Sequence, residues 1–313
     1  MATRANKVAL IGGMLIAQLV VAEVTPRVAI VKSSSVLPFN QAMDATIDVL
    51  RHDRLQPEIL TFDLDGDEAR AATVLAAVSS AHPQLLITIG SLATAAVLKS
   101  LPTAPVLFSM VLYPRESGFL TAPARQVTGV SLDIPFDVQF KYLRRLFPTA
   151  HRVGVLYNVG ETGTLIEEAR KAAAAHGFTL VAEPLDDPTR AVATFERLMD
   201  NVDVMWSLAD SHVFTPQTTS ALILASLRRG VPLFGLSTAH VRAGAVAALY
   251  CDYADIGRQT GETALHILSG KQAGTIPVAA PQTVGLALNL RSARHVNLPI
   301  SRELEAEAHE VIR

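Results

Sequence analysis

Polar side chains stand just beyond the ends of the predicted strands in this chain, and their types suit hydrogen bonding to a small ligand. The predicted ligand-binding residues, which include two aromatic ones, are Ser33, Ser34, Ser35, Phe39, Gly90, Ser91, Ser109, Ser131, Tyr157, Asn158, Glu161, Thr162, Asp210, Ser211, Ser237 and Asp252. In an open parallel sheet, ligands bind outside the carboxyl ends of the strands. We therefore expect these residues, with Asp133 two positions beyond Ser131, to line one cleft.

This set is rich in hydroxyl groups and contains neither lysine nor arginine. Backbone N–H groups at helix starts near Gly90 and Thr162 suit a carboxylate, and Asp210 suits an ammonium group. Phe39 and Tyr157 are suited to wall an apolar side chain. Together these features predict a small zwitterionic ligand of the amino-acid type. Each polar residue taken singly is also typical of an ordinary helix cap, and that interpretation stays open.

A catalytic interpretation rests on one segment, Gly235-Leu-Ser-Thr-Ala239, which resembles a nucleophile elbow with His240 beside it. An elbow needs a strained turn with small residues on both sides of the nucleophile, and the corresponding earlier segment around Ser109 has no histidine. A hydrolase using Ser237 is thus a minor alternative, and we expect the protein not to be an enzyme. No phosphate-binding loop or dinucleotide fingerprint occurs in the sequence, so no cofactor is expected.

Metal and nucleic-acid binding are also disfavoured. The chain has one cysteine, Cys251, and nine histidines, none of them spaced i, i+3 or i, i+4 from another. With 27 basic and 29 acidic residues the formal charge is -2, which gives no positive patch for a polyanion. We expect neither a metal nor a nucleic acid as a partner.

The first 22 residues have the pattern of a secretory signal peptide. Arg4 and Lys7 precede a weakly polar run from Val8 to Ala22, which is shorter than a membrane-spanning helix. We expect cleavage near Ala22 and a periplasmic mature protein. Retention of this segment as an anchor, or its burial as a first strand or helix, stays open. No cysteine lies near residue 22, which argues against a lipid anchor.

Downstream, short apolar runs alternate with helical patterns, and the series occurs twice. The strand predicted at 27–31 is matched by 152–157, that at 85–89 by a segment beginning at Val204, and that at 104–109 by 231–237. Apolar runs separated by helices indicate a parallel sheet covered on both faces. The duplication therefore predicts an α/β fold of two similar doubly wound lobes.

The lobes are expected to share the chain through more than one crossing, which would form a hinge. We assign residues 27–131 and about 250–278 to the first lobe, and 132–249 and about 282–300 to the second. Residues 301–313 are charged and are predicted to form a solvated tail.

Several segments carry a family resemblance in combination. They are Val127-Thr-Gly-Val-Ser131, Arg152-Val-Gly-Val-Leu-Tyr-Asn158, Val231-Pro-Leu-Phe-Gly235, Val241-Arg-Ala-Gly-Ala245, Asp252-Tyr-Ala-Asp-Ile-Gly-Arg-Gln-Thr-Gly261 and Ile267-Leu-Ser-Gly-Lys271. The chain resembles, over about residues 27 to 298, the ABC-transporter substrate-binding protein family that includes tryptophan- and other aromatic amino-acid-binding members. The resemblance implies a type I periplasmic-binding fold with three crossings and a closing cleft. It also implies ligand contacts from the loop of Asn158, Glu161 and Thr162, and from Asp210.

These features lead to an expected function. We expect an extracytoplasmic solute-binding protein of an ABC importer, acting as a monomer and delivering its ligand to a membrane permease after hinge closure. The alternative is a sensor that presents the same ligand to a membrane histidine kinase.

Overall fold

The computed structural model describes residues 25–100, 102–120 and 126–313. The predicted signal peptide, residues 1–22, lies outside these ranges. Within them, no helix combines the length and the apolar character needed to cross a bilayer.

The first lobe contains a five-stranded sheet in which every strand is parallel to its neighbours. Its strands are β1 (Arg27–Lys32), β2 (Glu58–Asp63), β3 (Leu85–Ile89), β4 (Val106–Val111) and β5 (Val127–Ser131), and its first helices are α1 (Leu37–His52), α2 (Ala71–Ser80) and α3 (Ser91–Lys99). The strand order is β2-β1-β3-β4-β5. All residues of β3 are buried, because helices cover both faces of the sheet.

The second lobe is built on a seven-stranded sheet of order β12-β11-β10-β9-β8-β6-β7. Its strands are β6 (Arg152–Tyr157), β7 (Thr179–Pro184), β8 (Val204–Trp206), β9 (Leu233–Gly235), β10 (Ala247–Cys251), β11 (Val284–Asn289) and β12 (Glu310–Ile312). The remaining helices are α4 (Phe136–Leu146), α5 (Ile166–Ala175), α6 (Ala191–Met199), α7 (Thr219–Arg229), α8 (Thr238–Ala243), α9 (Tyr253–Leu268), α10 (Leu290–His295) and α11 (Arg302–Glu307). The β10–β11 pair is antiparallel. Two doubly wound lobes are therefore present, as the duplication predicts.

In the described ranges the chain passes between the lobes three times. It leaves the first lobe after β5, returns after β10 so that α9 packs against α1, β4 and β5, and leaves again before β11. Just before that last passage, Ala279 pairs with β5 by accepting a hydrogen bond from Ser131 N at 2.8 Å. The carboxylate of Asp255 on α9 accepts Thr283 N at 2.9 Å and so ties two passages together. A hinge of several segments results.

The prediction of a solvated tail at residues 301–313 is wrong. Leu304 on α11 is 4% exposed, and Glu303 and Glu307 form ion pairs with Arg145 of α4. Val311 lies in β12, which pairs in parallel with β11. Glu307 is held on α4 and Glu310 pairs with Arg242 of α8. β12 joins the sheet through its backbone, which requires no long apolar run.

Close contact between α1 and α9 fastens the second passage to the first lobe. A side chain at Gly257 would overlap the carbonyl oxygen of Ala42, and a Cβ at Gly261 would lie 2.6 Å from the Cβ of Val49. Thr46 Oγ1 donates to the carbonyl oxygen of Gly257 at 2.9 Å. Glycine at these two positions lets the helix backbones approach each other.

We expect Gly257→Ala to destabilise the protein although alanine favours helix formation. Overpacking of a tight interface costs about 1 to 3 kcal/mol, which exceeds the gain of about 1 kcal/mol in helix propensity. Urea unfolding measures the difference. Glu262→Ala, at an exposed position of the same helix, is the control and should change stability by less than about 0.5 kcal/mol. A Gly257→Ala protein as stable as the wild type would contradict this account of the contact.

Candidate ligand-binding site

A cavity of about 630 Å³ lies between the lobes. One side is formed by the carboxyl ends of β8, β9 and β10 in the second lobe. The other is formed by residues 112–116 and Leu120 of the segment after β4, and by the passages at 131–135 and Tyr253. The volume is within the usual range of small-molecule sites, and the position is the one expected for parallel sheets.

Aromatic residues form part of the cavity wall. The five that line it are Tyr113, Phe136, Phe234, Tyr250 and Tyr253. Phe136, the first residue of α4, meets Trp206 edge to face at 5.5 Å between ring centroids. The indole N–H of Trp206 donates to Gln139 Oε1 at 2.8 Å, so α4 is held in register against β8.

Asp133 is a partly buried carboxylate on the first passage. Both of its oxygens accept the backbone N–H of Tyr113, at 2.9 and 3.0 Å. Burial raises the pKa of Asp133 to about 6, and repulsion from Glu116 and Glu168 acts in the same direction. Ionisable groups whose pKa is shifted by burial are common in binding sites.

Ser207 contributes a buried hydroxyl group to the cavity. The residue is 2% exposed, and its backbone N–H is bonded to Phe234 O at 2.9 Å. In the described part of the chain its Oγ has no hydrogen-bond partner. An unpaired buried hydroxyl costs about 1 to 3 kcal/mol, so a ligand that supplies the missing hydrogen bond would recover stability.

The tyrosine after β4 links the two lobes at the cavity. The Tyr113 hydroxyl is within hydrogen-bonding reach of the Ala209 backbone, and its ring packs against the hydrophobic core of the second lobe. Burial raises the Tyr113 pKa well above its ordinary value, so the phenol stays neutral. The segment after β4 is thereby a first-lobe element that reaches the second lobe.

Of the predicted site residues, Ser131 at the end of β5 lines this cavity, while several others of the first lobe form hydrogen bonds within that lobe. Ser33 Oγ accepts Ala93 N at 3.0 Å, Ser35 Oγ donates to Asp63 at 2.6 Å, and Ser109 accepts Thr260 Oγ1 at 2.8 Å. Ser34, Phe39, Gly90 and Ser91 lie at the same end of the first sheet and outside the cavity lining. This cavity therefore does not include them, although Ser35 and Ser91 are exposed. Their contact with a ligand stays a prediction.

Asp210 is not available to a ligand in this structure, contrary to the prediction that it binds an ammonium group. Its side chain is 0% exposed. The carboxylate accepts Asn158 N at 2.7 Å, Thr162 Oγ1 at 2.6 Å, His212 N at 2.9 Å and Val213 N at 3.2 Å. A carboxylate has about four acceptor positions, and these donors fill them. Asp210 braces the loop after β6, and Tyr157 beside that loop packs into the lobe core.

Glu161 extends this brace. It accepts Ser211 N at 3.0 Å, Ser211 Oγ at 2.8 Å and His212 Nδ1 at 2.8 Å. Although burial opposes the effect, these hydrogen bonds lower the pKa of Glu161. Ligand atoms of Glu161, Asp210 and His212 lie within 4.8 Å of one another. The carboxylate oxygens that would bind a cation already accept N–H and O–H groups, so the arrangement is that of a loop brace.

Ser237 and Asp252 line a second, smaller cavity of about 360 Å³. Ser237 caps α8 by accepting His240 N at 3.4 Å, and Asp252 caps α9 by accepting Asp255 N at 3.0 Å. Ser237 has φ -160° and ψ 168°, an extended conformation. The strained turn of a nucleophile elbow is therefore not present at Ser237.

Sequence reasoning missed Ser207 because the strand that precedes it is shorter than expected. The predicted segment runs from Val204 to Ser211, with Asp210 and Ser211 as the residues just after the strand, whereas β8 ends at Trp206. Tyr113 was missed because Ser109 was the expected site residue of the earlier strand, whereas β4 continues to Val111. Correct strand ends would have pointed to both.

Solved structures with this fold come from several bacteria. The ABC domain from Streptococcus pneumonia in complex with L-Trp is 21% identical, with a TM-score of 0.68 over 92% of this chain and 99% of that one. A conserved domain protein from Vibrio cholerae is 25% identical, with a TM-score of 0.67 and the same shares covered. A ligand-free, open substrate-binding protein with adhesive properties from Clostridium difficile is 18% identical, with a TM-score of 0.77 and the same shares covered. They show that the fold is the type I periplasmic-binding fold.

Sequence comparison gives the same assignment. A tyrosine-binding protein from Clostridioides difficile (strain R20291) is 24% identical over 190 residues, which are 59% of this chain and 54% of the relative. The match thus spans about half the length of that curated relative. Residues 45–312 match the family described as ABC transporter substrate binding protein. Since this match covers most of the chain, the protein belongs to the ABC transporter substrate-binding protein family.

Proposed function

We propose that this protein is the extracytoplasmic solute-binding component of an ABC importer and captures an aromatic amino acid or a close analogue between its lobes. The observation that carries the proposal is the partly buried carboxylate of Asp133 in a cavity lined by five aromatic residues. A carboxylate provides a partner for an ammonium group, and aromatic walls suit an aromatic side chain. Relatives named for tyrosine binding and for a complex with L-Trp support the same ligand class.

Ligand capture would act on the hinge. The cavity is lined by elements of both lobes and by the passages between them, so a ligand can contact both lobes at once. A ligand favours the closed form only through contacts that are stronger there than in the open form. We propose that the closed protein then delivers its ligand to a membrane permease.

The cellular setting of this proposal is the periplasm, which the protein would enter through its N-terminal segment and where it would act as a monomer. Family membership supports the importer role. No feature of the described ranges favours the sensor alternative, and the cap formed by Ser237 gives the hydrolase alternative no support.

We expect Asp133→Asn to weaken the binding of L-tyrosine or L-tryptophan by about 30-fold or more. Truncating one partner of a buried charge pair costs about 2 to 5 kcal/mol, and each 1.4 kcal/mol is a factor of ten. Isothermal titration calorimetry at pH 7.5 measures the change. Asp137→Asn is the matched control, because Asp137 is exposed and outside the cavity lining. Equal affinities of Asp133→Asn and wild type would refute the role given to this carboxylate.

The same substitution should stabilise the ligand-free protein at neutral pH. Burial raises the pKa of Asp133 from 3.8 to about 6, so between these values the folded state holds a proton that the unfolded state releases. Ionisation of this carboxylate therefore lowers the free energy of unfolding. This loss of stability is absent below about pH 4 and complete above about pH 6.

Thermal unfolding without ligand provides the measurement. We expect Asp133→Asn to raise stability by roughly 1 to 3 kcal/mol at pH 7.5, with the gain disappearing near pH 4. Asp44→Asn, at an exposed position of α1, serves as the control. A melting temperature of Asp133→Asn below that of the wild type at pH 7.5 would contradict this prediction, because it would show that the ionised carboxylate stabilises the folded state.

A further inference from the structure

The ionisable lining of the cavity is acidic. Asp133, Glu116 and Glu168 contribute three negative charges and Arg115 contributes one positive charge, a formal balance of -2. The chain as a whole has the same formal charge spread over 313 residues. Negative charge is therefore concentrated at the cavity.

One of these four charged groups is partly buried. Asp133 has an intermediate exposure, whereas Arg115, Glu116 and Glu168 are exposed. Burial raises the pKa of Asp133, and the charges of Glu116 and Glu168 act in the same direction. The partly buried charge that a ligand meets is thus negative, and Arg115 is the one cationic side chain among the lining residues of the described chain.

The helices that begin on the cavity wall do not offset this charge. α4 starts at Phe136 and α9 at Tyr253, and their first turns carry Asp137 and Asp255. An acidic residue in the first turn already complements the positive end of the helix dipole. The starts of α4 and α9 are therefore weak sites for the carboxylate of a ligand.

Two neutral features of the wall add to the preference for positive charge. The faces of aromatic rings attract cations, and rings gathered around a site are a known means of binding ammonium groups. Three of the lining rings, Tyr113, Tyr250 and Tyr253, are only partly buried. Ser207 Oγ, buried and without a partner in the described chain, can accept an N–H from such a group.

We propose that the cavity selects ligands of net positive charge, so that an aromatic amine lacking a free carboxylate binds more tightly than the corresponding amino acid. This inference rests on the proposed function, because it concerns the ligand of the same site. An amino acid brings a carboxylate that adds to the negative charge of the lining, whereas an amine neutralises part of that charge without adding another.

The test is a charge series on one ring framework, measured by calorimetry on the wild-type chain at pH 7.5 and low salt. The ligands are tyramine, L-tyrosinamide, L-tyrosine and 3-(4-hydroxyphenyl)propionate, with tryptamine, L-tryptophan and indole-3-propionate as a second series. We expect the amines to bind about 10-fold more tightly than the amino acids, a difference of 1.4 kcal/mol, and the carboxylic acids to bind most weakly.

A pair of adjacent glutamates provides a control within the protein. Glu168 lines the cavity, whereas Glu167 is paired with Arg170 and does not. Glu168→Gln should reduce the amine preference about 3-fold, as expected for removing one exposed charge, and Glu167→Gln should leave it unchanged.

The possible failures can be told apart. An amino acid that binds as tightly as its amine would overturn the charge preference and leave the proposed function standing. Absence of binding across both series would overturn the proposed ligand class and the charge preference together.

Discussion

The contact between α1 and α9 is the constraint on which the two-lobed architecture depends. Gly257 and Gly261 allow the two helix backbones to touch, and α9 is thereby fixed on the first lobe although the chain on both sides of it belongs to the second. Without that attachment a single passage would join the lobes. The direction of their relative movement would then be little restricted. With it, several segments pass between the lobes and the ligand cavity forms around them.

Two polar groups near the hinge suit a ligand but do not stabilise the protein without one. Asp133 lies on the first passage, where burial makes its ionised form unfavourable. The nearby Ser207 hydroxyl is unpaired in the described structure. Each of these groups can accept a hydrogen bond from an N–H group of a ligand. Residues that lower stability in the same cavity are a stronger indication of a binding site than the presence of polar groups alone.

Much of the fold could be predicted from sequence because its signals are local. The apolar run of β3 is buried throughout, and α4 places Phe136, Phe140 and Leu143 on one buried face. The site was harder to predict, because its membership depends on where each strand stops. Because β8 ends at Trp206, the residue just after it is Ser207 and not Asp210, and Asp210 instead braces the loop after β6. Charge at residues 301–313 was likewise misleading, since its partners on α4 are distant in sequence.

The interleaving of the lobes constrains the order in which the chain can fold. The first lobe is incomplete until α9, ending at Leu268, has been added to it, and the second lobe still lacks β11 and β12 at that point. Neither lobe is thus complete until most of the chain has been synthesised. Premature collapse into one finished lobe is thereby delayed during vectorial synthesis.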